Sequence, residues 1–499
     1  MNTAKESLET FKMHIDGQWV DSASGEHFES DNPYTGRPWA LIPKGNAQDV
    51  DRAVGAAHRA FTEGEWPRMT ASQRGALLRR LGDAVAEQAE HLAKIEVRDN
   101  GKLIAEMGAQ LRYIPQWYYY FGGLADKIEG SVIPIDKPGH LNYTRHEPLG
   151  VVAAIVPWNS PLLLTTWKLA PALAAGNTVV IKPSEFTSAS TLEFMKVVES
   201  VGFPPGVINV VTGFGPEVGA PLAEHGLVRK VAFTGSDKTG QQIYETAARG
   251  LKRVSLELGG KSPNIVFDDA HTENAVKGVI SGIFAATGQT CIAGSRLLVQ
   301  QSIHDEFVDR LVAFAKTAKM GDPQSLDTQV GPVTNMPQYR KVLDYIAVAK
   351  EEGAQTLLGG ARADRPECGD GWFVEPTIFG NVSNTMRIAQ EEVFGPVLSV
   401  IPFKDEEEAL SIGNDIVFGL AAGVWTQDIR RAVTMADRLQ AGTVWVNTYR
   451  AISYMSPFGG YKRSGLGREN GQDAIREYLQ TKSVWISTST EVPNPFVMR

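Results

Sequence analysis

The 499-residue chain has two cysteines, Cys291 and Cys368. An extracellular fold stapled by disulfides uses more, so the count fits a reducing compartment. No further Cys or His stands near them at ligand spacing, and the nine histidines are scattered without an HxxxH pair, so no metal is expected. Positive charge is in short supply: 49 Lys and Arg against 57 Asp and Glu leave a net charge of −8, which argues against a nucleic-acid or anionic-membrane binder. Long apolar runs are missing as well. The most apolar region, 151–181, is broken by Asn159, Lys168, Pro171 and Asn177, well short of the ~20 residues a membrane helix needs. Residues 1–11 carry Lys5, Glu6 and Glu9 and no apolar core of signal-peptide length. Together these absences predict a cytoplasmic protein, and no repeat, low-complexity tract or obvious linker divides it.

What is present is α/β alternation. Residues 70–98 read as one amphipathic helix, with Thr70 and Gln73 at capping-box spacing and Leu77, Leu78, Leu81, Val85, Leu92 and Ile95 on one stripe. From 150 onward, short β-branched runs at 151–156, 178–181, 208–211, 230–233 and 253–258 alternate with helical stretches. They are mostly apolar, as parallel strands covered on both faces must be. A second alternating region, 260–462, holds strands at 295–300, 397–403 and 442–447 and helices at 303–319, 336–353 and 405–415. The pattern predicts two doubly wound α/β lobes. Segments 130–146 and 481–492 fit neither lobe and read as extended, with Val484, Ile486 and Thr488 alternating. Terminal strands of this kind predict pairing with another subunit.

Three segments carry chemistry. Cys291 lies in Gly288-Gln289-Thr290-Cys291-Ile292-Ala293-Gly294, where small neighbours expose the sulfur and nearby amides can favour a thiolate. The plain alternative is a buried small hydrophobe, and Cys368, in a glycine-rich polar turn, is read as incidental. Glu257, in Leu256-Glu257-Leu258-Gly259-Gly260-Lys261, is a carboxylate at an apolar strand end. Desolvation there raises a carboxyl's pKa toward that of a general base, unless the residue is merely ion-paired to Lys261 or Arg253. Asn159, in Pro157-Trp158-Asn159-Ser160-Pro161, follows a strand where doubly wound sheets bind ligands. Its amide can donate to an oxygen that becomes negative, or simply cap a helix.

Read together, these segments resemble the aldehyde dehydrogenase superfamily, in its hydrolytic NAD(P)-dependent branch. The resemblance runs from about residue 11 to 486. It includes Val180-Ile181-Lys182-Pro183-Ser184-Glu185, Phe233-Thr234-Gly235-Ser236, Glu391-Glu392-Val393-Phe394-Gly395-Pro396 and Ser456-Pro457-Phe458-Gly459-Gly460. It implies a Rossmann-like NAD-binding domain (1–129 and 149–259), a catalytic domain (260–462), an oligomerisation arm (130–148 and 480–492) and a return segment (463–479), assembled as a homodimer or homotetramer. Cys291 is then the nucleophile that forms a thiohemiacetal and a thioester. Asn159 and the Cys291 N–H hold the oxyanion, Glu257 activates the hydrolytic water, and Lys168 and Glu469 pass protons onward.

For the cofactor, the resemblance implies NAD. Lys182 and Glu185 would hold the adenosine ribose, with the carboxylate repelling a 2′-phosphate. Gly235 and Ser236 would meet the pyrophosphate at a helix start, and Glu392 and Phe394 would fix the nicotinamide end. Trp158, Ser184, Gly215, Phe233, Leu258 and Gly259 complete that site. The usual phosphate-loop and GxGxxG fingerprints are absent, since Gln241 stands where a phosphate-loop lysine is required. In the aldehyde tunnel, Ser160 and Ala285 stand where relatives acting on small aldehydes carry aromatics, which predicts a bulky, aromatic or branched substrate. Leu164, Trp167, Thr290, Ile292, Ile452 and Phe458 supply the remaining wall, and Arg450 is expected to greet a carboxylate tail, as in a semialdehyde. A coenzyme A-acylating enzyme and a silent protein on the same fold are the rivals. Glu257 weighs against the first, and the joint presence of Cys291, Glu257 and Asn159 against the second.

Overall fold

A computed structural model describes residues 8–492 and 494–497 of the chain; the first seven residues, which carry Lys5 and Glu6 of the amino-terminal reading, lie outside the described residues. The longest helix, Ala71–Asn100, opens on a reciprocal capping box between Thr70 and Gln73 and closes at Gly101, whose φ of 75° needs a residue without a Cβ penalty. Its expected stripe is buried, apart from a half-buried Ile95.

Five parallel strands form the centre of an eight-stranded sheet, in the spatial order Arg253–Glu257, Val228–Thr234, Val151–Ile155, Thr178–Lys182, Ile208–Val210. Numbered along the chain this is 5-4-1-2-3, so the winding reverses between Val151–Ile155 and Val228–Thr234. Ligands of doubly wound sheets bind in the crevice beyond the carboxyl ends of strands at such a reversal. Pro157–Ser160 and Thr234–Ser236 leave the sheet there.

The edges of this sheet were not legible in advance. Met13–Ile15 and Gln18–Val20 add antiparallel strands on one side, and Gly465–Leu466 adds one on the other, beside Arg253–Glu257. Strands of two or three residues carry no readable periodicity. Three residues of strand expected in the first lobe, Val156, Val211 and Leu258, fall outside it.

A second sheet of seven strands runs Gln355–Leu358, Thr377–Gly380, Val397–Phe403, Arg296–Gln300, Pro263–Val266, Ala421–Trp425, Thr443–Val446; all neighbours pair in parallel except the first two. The chain passes from one sheet to the other through Leu258–Ser262. This crossing faces the carboxyl edge of the first sheet toward the amino edge of the second. The loop that ends in Arg296–Gln300 carries Cys291 into the gap.

The extended segments pair with each other rather than standing free. Leu479–Ser487 lies antiparallel to His140–Pro148 along its whole length, and Val132–Ile133 flanks His140–Pro148 on its other side. The two arm segments thus pair with each other within the chain, and the strand stops at Ser487, short of 492. Val132, Ile133, Leu141, Trp485 and Ile486 remain exposed on this three-stranded sheet. Among the described residues no helix is long and apolar enough to cross a membrane.

Candidate active site

Cys291 is half-buried at the junction of two cavities. The loop before it is tightly wound: Ala286 and Thr287 take φ of 52° and 55°, in the left-handed region that costs a residue with a Cβ on the order of 1 kcal/mol. The loop is pinned from several sides. Gln289 is fully buried, donating to the carbonyls of Ala286 and Pro332 and accepting the Thr334 N–H, and the Tyr449 hydroxyl donates to the Ile292 carbonyl at 3.0 Å. Strain of this kind persists only where surrounding contacts over-determine it.

Asn159 is not a helix cap. The helix Pro161–Ala175 begins after Ser160 with no side-chain cap, and Asn159 Nδ2 donates to the Gln289 carbonyl at 3.1 Å. One amide hydrogen is thereby used to fix the group, and the residue lines both cavities beside Cys291.

Glu257 ends its strand with a buried carboxyl, of which Oε2 has no hydrogen-bond partner. It forms no ion pair with Lys261 or Arg253, which removes the structural alternative. Burial, and then the charge of Glu469, push its pKa well above the usual carboxylate range, against the pull of Lys168 and Arg468. Behind it, Lys168 Nζ donates to Glu469 Oε1 and to Thr234 Oγ1, each at 2.6 Å, with both ionic partners buried. Glu469 is itself held by mutual backbone hydrogen bonds with Phe458, 2.7 Å in each direction. Neither Lys168 nor Glu469 lines the cavities; they stand one layer behind.

The thiol departs from expectation. Nearby amides do not leave it as a ready thiolate. Burial, then the carboxylates of Glu257 and Glu392, push its pKa up to about 12, outweighing its own backbone N–H and Lys102. Cys368 is buried as well and raised to about 11.

On one side of Cys291 the cavities follow the strand ends. A volume of about 600 Å3 is lined by Trp158, Lys182, Ser184, Glu185, Gly215, Phe233, Gly235 and Ser236 among others. Lys182 Nζ meets Glu185 Oε2 at 3.1 Å. Ser236 caps the helix Asp237–Arg249, its hydroxyl accepting the Thr239 N–H. A smaller space, about 130 Å3, brings Leu258, Gly259, Glu392 and Phe394 to Cys291. Glu392 accepts the Gly260 N–H at 2.9 Å, and a Cβ on Gly259 would run into its carboxylate. Phe394, at φ 59°, meets Trp158 edge to face with centroids 5.2 Å apart.

On the other side lies a cavity of about 180 Å3, lined by Ser160, Leu164, Trp167, Thr290, Ile292, Arg450, Ile452 and Phe458. Trp167 packs edge to face on Phe458 and stacks on Trp117. One expected member is displaced: Ala286 lines the cavity instead of Ala285, because the left-handed turn swings the next residue inward.

A family model, that of the aldehyde dehydrogenase family, matches residues 19–484. The chain belongs to the aldehyde dehydrogenase family. A relative from Acinetobacter baylyi, named (Z)-2-((N-methylformamido)methylene)-5-hydroxybutyrolactone dehydrogenase, is 47% identical over 495 residues, 99% of this chain and 100% of that one. Human retinal dehydrogenase 2 is 46% identical, covering 95% of this chain and 91% of its own. A crystal structure of betaine aldehyde dehydrogenase from Staphylococcus aureus, in complex with NAD+, superposes with a TM-score of 0.96 at 43% identity, covering 98% of this chain and 97% of that one.

This member of the aldehyde dehydrogenase family also holds residues that the sequence reading missed. Lys102, Glu106, Met107, Gln110 and Leu163 join the aldehyde-side wall, and Gln338 and Lys341 join the other. The signal for the first group was a charged residue directly after a helix-ending glycine, Gly101-Lys102, followed by a short helix, Ile104–Tyr113. Nothing in that spacing says that the lysine turns inward.

Proposed function

We propose that the protein oxidises an aldehyde to a carboxylic acid with NAD, through a thioester on Cys291 that water resolves. The observation that carries this reading is the convergence of one thiol, one amide donor and one buried carboxyl on a single cavity wall. Glu257, made more basic by burial and by Glu469, takes the thiol proton in its ionised form as the sulfur attacks the carbonyl carbon. The resulting oxyanion lies between Asn159 Nδ2, already oriented by Gln289, and the Cys291 N–H.

The fit to NAD rests on the lining itself. Gly259 leaves room beside Glu392 that any side chain would fill, Gly235 and Ser236 present a helix start, and a carboxylate at Glu185 disfavours a 2′-phosphate. When bound, NAD supplies the acceptor for the hydride leaving the thiohemiacetal carbon. Glu257 first gives up the thiol proton and, ionised again, takes a proton from water; the hydroxyl adds to the thioester, and the carbon–sulfur bond breaks to release the acid and return the thiolate. The Glu469–Lys168 pair behind Glu257 carries each of these protons away from the carboxyl in turn, the thiol's before hydrolysis and the water's after it. The three-stranded arm, with its exposed apolar residues, is the surface through which the chain assembles as a dimer or tetramer.

Ser160 and Ala286 leave the aldehyde cavity without an aromatic plug on that side, which favours a bulky substrate. The test is NADH formation with propanal, benzaldehyde and a long semialdehyde. Benzaldehyde or the semialdehyde should give the higher kcat/KM. Propanal winning clearly rejects the bulky substrate, and acyl-CoA appearing on addition of CoA rejects hydrolysis.

A further inference from the structure

The aldehyde cavity is apolar on the side of Trp167 and Phe458 but not on the side of the helix Ile104–Tyr113. There, Lys102 is 3% exposed and its Nζ donates to Ser160 Oγ at 3.0 Å. The Ser160 hydroxyl in turn points to Gln110 Oε1 at 3.4 Å. The chain of donors ends there, and Gln110 Nε2 is buried with no acceptor.

An ammonium has three hydrogens and Ser160 uses one. Among the described residues no carboxylate stands within 4.0 Å of Lys102 Nζ. Glu106, on the helix that follows, gives Oε1 to the Ala286 N–H at 2.7 Å. Arg450 lines the same cavity, with Nη1 on the Ser281 carbonyl at 3.3 Å as its own anchor. A buried ammonium and a buried amide with hydrogens to spare are costly unless something accepts from them. Both belong to the wall of the cavity that Cys291 shares.

We propose that Lys102, Ser160 and Gln110 form an oxygen-recognising subsite of the aldehyde cavity, so that the substrate is an aldehyde bearing a second oxygen function on its body, whether carboxylate, carbonyl or hydroxyl. The plain hydrocarbon aldehydes leave these donors without a partner. The inference rests on the reading of Cys291 as nucleophile and adds to it which face of the substrate is polar. Ser160 thereby has a second task besides leaving space: its hydroxyl hands the Lys102 hydrogen bond on to Gln110 and so sets which amide hydrogens face the cavity.

The experiment compares three matched series of four to six carbons (alkanals, ω-hydroxyalkanals and ω-carboxyalkanals) together with oxoalkanals, on the full-length wild type and on Lys102→Met and Gln110→Leu. The readout is the ratio of kcat/KM for each oxygen-bearing aldehyde to that of its alkanal. The wild-type ratio should reach about tenfold or more for at least one series, the usual worth of a hydrogen bond to a charged donor. Lys102→Met should collapse that ratio toward one, with the loss in KM, and Gln110→Leu should lower it less; the series that responds most identifies the oxygen. A wild-type ratio near or below one in every series, or a Lys102→Met variant that slows all aldehydes by the same factor and leaves the ratio intact, overturns the subsite.

Calorimetry separates this from failure of the parent reading. The inert acids that correspond to the preferred aldehydes are titrated into Cys291→Ala and into the Cys291→Ala, Lys102→Met double variant. Weaker binding to the double variant supports the subsite even if no aldehyde is oxidised, and equal binding to both counts against it.

Discussion

The two chambers that meet at Cys291 are built in opposite ways. The cofactor-side chamber is made from chain turns that leave consecutive strand ends, with glycines and backbone N–H groups at its closest points. The aldehyde-side chamber is assembled from side chains of separate elements: the helix Ile104–Tyr113, the helix Pro161–Ala175, the Cys291 loop and the segment 450–458. Backbone-built sites recur wherever the fold recurs, while side-chain-built sites can be re-cut one residue at a time. The first chamber therefore goes with the family and the second with the individual substrate.

The largest effect should come from removing the wall the chambers share. Cys291→Ala is expected to lower kcat by 10⁴-fold or more with NAD binding retained, checked by turnover beside fluorescence titration of the dinucleotide. Turnover at the wild-type rate would dismiss the nucleophile. Next, Asn159→Ala should cost about 10²- to 10³-fold in kcat with little change in aldehyde KM, since the donor acts on the developing oxyanion.

Two substitutions sharpen the contrast between the chambers. Gly259→Ala drives a methyl group at Glu392 and should weaken NAD binding about tenfold while leaving the ranking of aldehydes unchanged. Ser160→Phe should do the reverse, lowering kcat/KM for benzaldehyde about tenfold relative to propanal with NAD affinity unaltered. If either variant moved both readouts together, the chambers would not be separable.

The smallest effect is a displacement on the pH axis. Glu257 works as a base only when ionised, and its carboxyl is raised by burial first and by Glu469 second. Activity should therefore climb with pH over a range above the usual carboxylate range. Glu469→Gln removes a negative charge and leaves Lys168 uncompensated, and both changes favour the ionised Glu257. The acidic limb of kcat against pH should move to lower pH, and a shift to higher pH counts against the coupling.

Legibility followed the same divide. The parallel strands and the long capped helix announced themselves through runs of Val and Ile and through Thr70 and Gln73, because local pattern and tertiary role agree there. Motif residues around 158, 182–185, 235 and 392 were visible because backbone-built sites occupy short contiguous stretches. Lys102 was not, since its inward turn depends on a helix end meeting Ser160, 58 residues away. Ala285 was taken for a lining residue where Ala286 is one, because a left-handed turn that opens on Ala286 and Thr287, before any glycine, leaves no mark on composition. The thiol's high pKa was missed for the same reason: two carboxylates distant in sequence, Glu257 and Glu392, reach it only in the folded chain.

The backbone bridge between Phe458 and Glu469 has a practical corollary for anyone reshaping this enzyme. The Phe458 ring in the cavity wall and the Glu469 carboxylate behind Glu257 are two ends of one short rung, so a bulkier or smaller residue at 458 tugs on the Lys168–Glu469 pair through the main chain. Redesign of fit at that position carries a retuned acidity of Glu257 along with it.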